Sequence, residues 1–127
     1  MSFTYDELIS RRADDIRFSY TDTQMLLYNL SVGMGRDPGS EQELPFIYET
    51  PGLRVVPTAA AVLGGGGANI LGSVSIDWTR LLHGEQRLQC HRPLPPKADL
   101  IGSSRISEIV DKGADKGTVA YQTREIR

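Results

Sequence analysis

The chain contains 127 residues, a length that suits one domain with a single hydrophobic core and leaves little room for a second domain. Hydrophobic residues make up 39% and charged residues 24%, a globular balance that excludes collagen-like, low-complexity and wholly disordered chains. Fourteen Lys and Arg against sixteen Asp and Glu give a net charge of -2. Because this charge balance supplies no excess of basic residues to contact a nucleic-acid backbone, we expect no nucleic-acid partner.

The cysteine content and the N-terminus bear on the cellular compartment. Cys90 is the single cysteine and cannot form an internal disulfide, and together with two histidines it offers no spaced set of zinc ligands. The N-terminus carries acidic residues where a secretion signal needs a basic and then an apolar stretch, and the sequence has no apolar run of about eighteen residues. We therefore expect a soluble, cytoplasmic protein without a membrane partner or a metal.

The first part of the chain predicts a surface segment followed by a helix. Residues 1–17 alternate charge clusters with isolated apolar residues, which is typical of a short helix or arm on the surface. A helix is expected over residues 21–32, because Thr21 and Gln24 have the spacing of a capping box. Its wide apolar face should pack on a sheet, and two glycines should end it. The face comprises Met25, Leu26, Tyr28, Leu30 and Val32, and the glycines are Gly33 and Gly35.

The middle of the chain predicts two short strands and a small-residue helix. Residues 46–49 and 53–56 have strand-like composition, and Pro57 ends the second of these runs. Thr58 can cap a helix over residues 59–63, which ends at the four glycines of residues 64–67. A helix made mostly of alanine can be surrounded closely by other backbone, so we expect it to be central and buried.

The last third of the chain alternates with the period of β-strands. Residues 87–91 alternate before three prolines, and residues 100–110 and 118–126 are longer β-type segments. The DKGADKG segment between these two has hairpin composition, with Gly113 and Gly117 suited to positive φ. The order of elements indicates an α+β architecture. Because the strand pattern runs to Arg127, we expect another chain or a further segment to complete the sheet.

Two places combine polar side chains with glycine. In LLHGEQ, His83 stands beside Gly84, and a glycine lets a ligand approach the backbone closely. Lys112 lies between Asp111 and Gly113 in the hairpin segment. From the residues alone both places also fit a simpler interpretation, an exposed turn leading into a strand and a solvated hairpin turn.

Five motifs occur in one order along the chain and together resemble a known family. They are YNLSVGMG at 28–35, VVPTAAAVL at 55–63, DWTRLLHGEQ at 77–86, HRPLPPKADL at 91–100 and DKGADKG at 111–117. This set resembles the N-terminal half of the MaoC-like dehydratases, in the (R)-specific enoyl-CoA hydratase 2 group that includes the hydratase domain of peroxisomal multifunctional enzymes. The resemblance covers residues 18–127 and leaves residues 1–17 as an N-terminal arm.

The resemblance implies a hot-dog fold, in which an antiparallel sheet wraps around one long helix, here the alanine-rich segment after Pro57. Members of this group carry two such units in one polypeptide, and the acyl-CoA lies between them. This chain corresponds to the first unit without its last strand. The catalytic Asp and His of the family stand in a D-x-N-P-x-H arrangement in the second unit. The string does not occur here, so we assign no catalytic residue, neither His83 nor His91.

The resemblance also implies substrate contacts. His83, Gly84 and Lys112 match positions where the family touches the CoA moiety, and a mobile lysine suits a phosphate. The first unit also lodges the acyl tail, for which the lining candidates are Tyr28, Val56 and Ala60, with Leu30 and the rest of residues 59–62 around them. No cofactor is expected beyond the coenzyme A thioester that serves as substrate.

The expected function is that of the substrate-binding half of an (R)-specific 2-enoyl-CoA hydratase or 3-hydroxyacyl-CoA dehydratase. This hydro-lyase of fatty acid β-oxidation would be inactive without its catalytic half, dimeric, and peroxisomal in a eukaryote. An alternative is a non-catalytic acyl-CoA-binding or structural subunit of a heteromer. A weaker one is a single hot-dog thioesterase, for which Glu49 and Glu85 lie off the predicted central helix.

Overall fold

The computed structural model describes residues 3–49, 51–63, 70–72 and 74–127. These residues form two compact units. The first unit takes its described residues from the N-terminus up to Phe18, from residues 70–84 and from Leu100–Arg127. The second takes them from Ser19–Leu63 and Glu85–Asp99. The four glycines that were expected to end the alanine-rich helix lie outside the described residues.

A three-stranded antiparallel sheet is the main regular structure. Its strands are β1 (Arg12–Tyr20), β2 (Ala98–Asp111) and β3 (Thr118–Ile126), in the order β1-β2-β3. β2 and β3 form a hairpin in which Gly102 lies opposite Ile126 and Asp111 lies opposite Thr118. The two long β-segments expected from the sequence are confirmed, and so is the α+β class.

The hairpin turn has the backbone geometry that its glycines predict. Gly113 and Gly117 adopt φ angles of 90° and 71°, in the left-handed region that favours glycine. The Gly113 amide donates to Asp111 Oδ1 at 2.8 Å, and the Lys112 amide donates to the Gly117 carbonyl at 2.9 Å. Both positive φ angles predicted from the sequence are confirmed.

The N-terminal segment contains a strand that the sequence analysis missed. The short helix is present as α1 (Tyr5–Ile9), capped by Thr4 and Glu7, but β1 begins at Arg12, inside the segment expected to be an arm. Charged residues at the start of β1 hide its alternation, which becomes visible only later in the strand. Within the strand, Asp15 adopts a φ of 53°, which is uncommon for a residue other than glycine.

The helix predicted over residues 21–32 is present as α2 (Asp22–Ser31). Its capping box is formed as expected, with the Gln24 amide donating to Thr21 Oγ1 at 3.3 Å and the Thr21 amide donating to Gln24 Oε1 at 2.9 Å. Gly33 follows with a φ of 101°. The predicted wide apolar face is wrong in part, because Leu30 and Val32 remain 48% and 46% exposed.

The two short strands predicted in the middle of the chain are absent. Of residues 46–49, the first two form the end of α3 (Leu44–Ile47) and the last two have no regular structure. Pro45 occupies the first turn of α3, where its fixed φ favours a helix start. Residues 53–56 keep the alternation, since Leu53 and Val55 are buried while Arg54 is exposed, but they pair in no sheet.

The alanine-rich segment forms a helix that begins and ends two residues earlier than expected. It is a 3-10 helix, Pro57–Ala61, that begins at Pro57 and has no side-chain cap, so the prediction that Thr58 caps it is wrong. Ala59 is 0% exposed, whereas Ala60 and Ala61 are half-buried. The packing partners of α2 are mainly α3 and this 3-10 helix, rather than the sheet that the sequence analysis expected.

Residues 81–90 have no regular structure, although the period-two pattern predicted a strand at 87–91. They are exposed throughout, and Leu82 is 88% exposed. Alternation alone is insufficient here because a strand also needs a neighbouring strand to accept and donate its backbone hydrogen bonds. Among the helices within the described ranges, none is long and apolar enough to cross a membrane.

Candidate substrate-binding site

A buried asparagine fixes the segment that carries the predicted acyl-tail residues. Asn29 of α2 is 0% exposed. Its Nδ2 donates to the carbonyl oxygens of Phe46 at 2.8 Å and Arg54 at 2.7 Å, and its Oδ1 accepts from the Val56 amide at 3.0 Å. These bonds use both amide hydrogens and the carbonyl oxygen. They hold the end of α3 and residues 54–56 against α2.

The three predicted tail residues lie together beside this asparagine. The Tyr28 hydroxyl donates to Thr58 Oγ1 at 3.0 Å, which joins α2 to the 3-10 helix. Val56 occupies the position just before the same 3-10 helix, and Ala60 lies within it. Tyr28, Val56 and Ala60 are half-buried, so each has side-chain surface left for a ligand. Their role in binding an acyl tail stays a prediction.

The LLHGEQ motif follows a well-defined turn. A short 3-10 helix, Trp78–Arg80, is capped by Asp77, whose Oδ1 accepts from the Thr79 amide at 3.1 Å and from Thr79 Oγ1 at 2.6 Å. These hydrogen bonds from Thr79 lower the pKa of the Asp77 carboxyl. His83 and Gly84 then lie in the exposed, irregular stretch after the turn. The expected turn is therefore present, but the strand expected to follow it is not.

Gly84 is not required by the fold of the described residues. None of their atoms lies within 4 Å of the position that a Cβ at Gly84 would take. Its φ also lies outside the left-handed region. Neither crowding nor backbone conformation within the described chain therefore explains a glycine here. The space in front of this backbone is open to a ligand or to another polypeptide.

Lys112 is placed at the start of the hairpin turn. It is exposed, and its backbone is fixed by the hydrogen bond to Gly117. Within the part of the chain that the structure describes, its ammonium group makes no hydrogen bond or ion pair. A cation held on a fixed backbone and without a protein partner is suited to an anionic ligand.

The six predicted residues fall into both units. His83, Gly84 and Lys112 belong to the first unit, on two different exposed segments, and Tyr28, Val56 and Ala60 belong to the second. Sequence reasoning missed Asn29, the residue that positions the second group. The available signal was a polar side chain four residues after Met25, within the apolar face of α2.

The described residues hold no assembled catalytic centre of the family type. The D-x-N-P-x-H string is absent from the 127 residues, and His83 and His91 both lie on exposed segments. Across the described ranges, no group of three or more His, Cys, Asp or Glu side chains is placed to hold a metal ion.

The family model and the similar proteins point to the same family. The family model for the MFE-2 hydratase 2 N-terminal domain matches residues 18–126. The peroxisomal enoyl-CoA hydratase 2 of Arabidopsis thaliana is 33% identical over 119 residues, covering 87% of this chain and 38% of that protein. The peroxisomal multifunctional enzyme type 2 of Mus musculus is 33% identical over 103 residues, covering 76% of this chain and 14% of that protein.

A bacterial relative extends the comparison. The 3-hydroxyacyl-thioester dehydratase Y of Mycobacterium tuberculosis is 33% identical over 107 residues, covering 80% of this chain and 34% of that protein. The chain thus spans well under half the length of each of these relatives. Since the family model matches residues 18–126, the chain belongs to the MFE-2 hydratase 2 N-terminal domain family, whose fold is the hot-dog.

Proposed function

We propose that this chain is the substrate-binding half of an (R)-specific 2-enoyl-CoA hydratase or 3-hydroxyacyl-CoA dehydratase. The observation that carries the proposal is the match of residues 18–126 to the N-terminal domain of hydratase 2. Relatives named as an enoyl-CoA hydratase 2 and a 3-hydroxyacyl-thioester dehydratase support the reaction class. The catalytic Asp and His come from a second hot-dog unit.

The proposed reaction adds one water across the double bond of an enoyl thioester. A carboxylate and an imidazole in the second unit hold the water, and one of them takes its proton while the oxygen bonds to Cβ. The electron pair of the double bond moves to the thioester enolate, which a backbone amide stabilises. A proton then returns to Cα, and dehydration is the same sequence in reverse. Residues of the present chain hold the substrate during these steps.

The CoA moiety is assigned to His83, Gly84 and Lys112. Lys112 supplies a cation for a phosphate of CoA, and its fixed backbone reduces the cost of ordering that contact. Gly84 leaves room for the ligand to pass beside His83. This role explains why a glycine stands where the described chain requires none.

The acyl tail is assigned to Tyr28, Val56 and Ala60. The Tyr28 ring, the Val56 side chain and the small Ala60 are half-buried and adjacent in the fold. Asn29 and the Tyr28–Thr58 hydrogen bond keep them in place. Small alanine side chains leave width for a long or bulky chain, so long enoyl-CoAs should be turned over better than short ones.

The proposed assembly is a dimer in which each acyl-CoA site combines this chain with a catalytic hot-dog unit. The proposed metabolic role is in fatty acid β-oxidation. The proposed compartment is the cytoplasm in a bacterium and the peroxisome in a eukaryote. Two relatives whose names include the word peroxisomal support the second location.

The two lysines of the hairpin provide a matched test of the CoA contact. In the assembled enzyme, Lys112→Ala should raise KM for decenoyl-CoA about tenfold with kcat unchanged, because a charge-assisted hydrogen bond to phosphate is lost. Lys116→Ala, in the second Asp-Lys-Gly of the same turn, should change KM less than about twofold. Steady-state hydration assays of the two variants measure KM and kcat and allow the comparison.

A shortened substrate separates a phosphate contact from a general effect on the hairpin. Decenoyl-pantetheine lacks the nucleotide and its phosphates, so Lys112→Ala should leave its KM unchanged. Equal effects of the two lysine variants, or an equal loss with decenoyl-pantetheine, would remove Lys112 from the proposed site.

A further inference from the structure

Three large apolar side chains of the first unit are exposed to solvent within a stretch of five residues. Trp78, Leu81 and Leu82 lie in and directly after the 3-10 helix Trp78–Arg80, and they are 50%, 49% and 88% exposed. Single exposed apolar residues are ordinary on a protein surface, but a group of them is typical of an interaction site. We call these three side chains the Trp78 patch.

The backbone that carries the patch is held by local hydrogen bonds. The Arg80 amide donates to the Asp77 carbonyl at 3.0 Å, and the Leu81 amide donates to the Trp78 carbonyl at 3.4 Å. Side chains three residues apart in a 3-10 helix lie on the same side, so Trp78 and Leu81 share one side of this turn. Because the turn is already ordered, a partner that docks on it incurs little cost for ordering the backbone.

The patch is exposed although the chain enters the protein interior just before it. Ile70 and Val74, which precede the turn, are buried. Asp77, which begins the turn, is exposed, and so is every residue from Trp78 to Gly84. Transfer of apolar side chains out of water is favourable, so a partner that covers this turn gains stability by burying the patch.

We infer that the Trp78 patch is the surface on which the catalytic hot-dog unit docks. The inference rests on the proposed function, which assigns the CoA moiety to residues that include His83 and Gly84 and assigns the catalytic Asp and His to a partner unit. Leu82 directly precedes His83. A unit that reaches the substrate beside His83 therefore also reaches the patch.

Three observations favour the catalytic unit as the occupant. No atom of the described residues lies within 4 Å of a Cβ built at Gly84, which leaves room for another polypeptide beside the patch. The chain covers 38% of the Arabidopsis thaliana relative, so most of that protein lies outside the matched region. A second copy of this chain would bring no catalytic pair of the family type, because D-x-N-P-x-H does not occur in it.

The test is the association of the 127-residue chain with a hot-dog unit that carries D-x-N-P-x-H, measured by isothermal titration calorimetry without substrate. Leu82→Asp should raise Kd at least about tenfold, because a carboxylate would be buried against an apolar surface. Trp78→Ala should raise it by a similar factor, since a buried tryptophan is a frequent hot spot of binding. Leu44→Asp, at a 49% exposed leucine of α3, should change Kd less than about twofold.

Two further measurements locate the contact and verify the fold. Trp78 is the single tryptophan, so incorporation of 5-fluorotryptophan gives this chain one ¹⁹F resonance. The resonance should shift when the hot-dog unit is added and should stay unchanged when the chain alone is concentrated. Because Leu82 is so exposed, Leu82→Asp should leave the circular-dichroism spectrum and the Tm of the isolated chain unchanged.

The outcomes separate this inference from the proposed function. Equal Kd values for Leu82→Asp and Leu44→Asp, or an unchanged ¹⁹F resonance, in an assembly that still hydrates decenoyl-CoA would overturn the docking surface and leave the proposed function standing. A ¹⁹F shift on concentrating the chain alone would identify a second copy as the occupant and also overturn the inference. Failure of the parent chain to associate with the hot-dog unit would overturn both.

Discussion

Asn29 shows how one buried polar side chain can organise several segments of irregular backbone. Residues 53–56 lie in no sheet, so their backbone groups need other partners. The asparagine amide satisfies the carbonyls of Phe46 and Arg54 and the amide of Val56. A side chain that carries donors and an acceptor at one position suits this task better than any charged or apolar residue of similar size.

Asn29→Ala should lower the free energy of unfolding by about 3 kcal/mol, because three backbone groups lose the hydrogen bonds of a fully buried side chain. Asn29→Asp should also destabilise, since a carboxylate would face two carbonyl oxygens. Ser31→Ala, an exposed position of the same helix, should change the free energy by less than about 0.5 kcal/mol. Urea denaturation measures all three, and equal effects of Asn29→Ala and Ser31→Ala would contradict the role of Asn29.

Tyr20 gives a pH-dependent prediction. It is 5% exposed, its hydroxyl donates to the Pro95 carbonyl at 2.7 Å, and burial raises the pKa of its phenol above 10.0. Because the folded state disfavours the phenolate, the contribution of Tyr20 to stability is complete below about pH 10. It is lost as the pH rises through the folded pKa.

Tyr20→Phe should therefore cost about 1 kcal/mol near neutral pH, through loss of the hydrogen bond to Pro95. The difference between this variant and the parent chain should shrink above about pH 10, as the parent loses stability. Tyr5→Phe, at a side chain left largely exposed, should show no such trend. Urea denaturation at several alkaline pH values is the measurement, and a pH-independent difference would contradict the account.

The sequence pointed to candidate site residues only where a motif carried them, and their role in binding stays a prediction. His83, Gly84 and Lys112 came from motifs with a characteristic spacing, and the structure leaves all three exposed. Asn29 had no such motif, because its importance arises from segments about 17 to 27 residues away that the chain brings back to α2.

At the scale of the elements, local signals predicted two features whose hydrogen bonds are local, although the expected cap at Thr58 is not formed. The capping box of α2 and the turn of the β2–β3 hairpin are both formed as expected. The strand predictions failed where pairing with another segment decides whether a strand forms. Residues 87–91 alternate like a strand without pairing in a sheet. Residues 46 and 47, expected in a strand, instead form the end of α3, a helix with Pro45 in its first turn.

Gly113 and Gly84 both lie in exposed segments, but replacing each with alanine should affect the stability of the fold differently. Gly113→Ala should destabilise by about 1–2 kcal/mol, because alanine at a φ of 90° is strained. Gly84→Ala should be neutral or slightly stabilising in the isolated chain, since nothing in its described surroundings opposes a Cβ. Thermal denaturation of the two variants gives the comparison, and a large loss with Gly84→Ala would show that its glycine serves the fold.

At the scale of the whole molecule, the chain is a member of a family of N-terminal hydratase domains. Its length covers 38% of the Arabidopsis thaliana relative and 34% of the Mycobacterium tuberculosis relative. The fold class was predictable because alternating segments and turn residues indicate it directly. The division into two compact units was not, since the sequence gives no linker between them.

The measurement that tests the central proposal most directly is hydration of decenoyl-CoA after co-expression of this chain with a hot-dog unit that carries D-x-N-P-x-H. We expect the two polypeptides to co-purify and the assembly to form (R)-3-hydroxydecanoyl-CoA, while each polypeptide alone forms none. Alanine at the Asp or the His of the second unit should abolish turnover without dissociating the assembly. A stable assembly that binds decenoyl-CoA but does not hydrate it would contradict the account and favour a non-catalytic subunit.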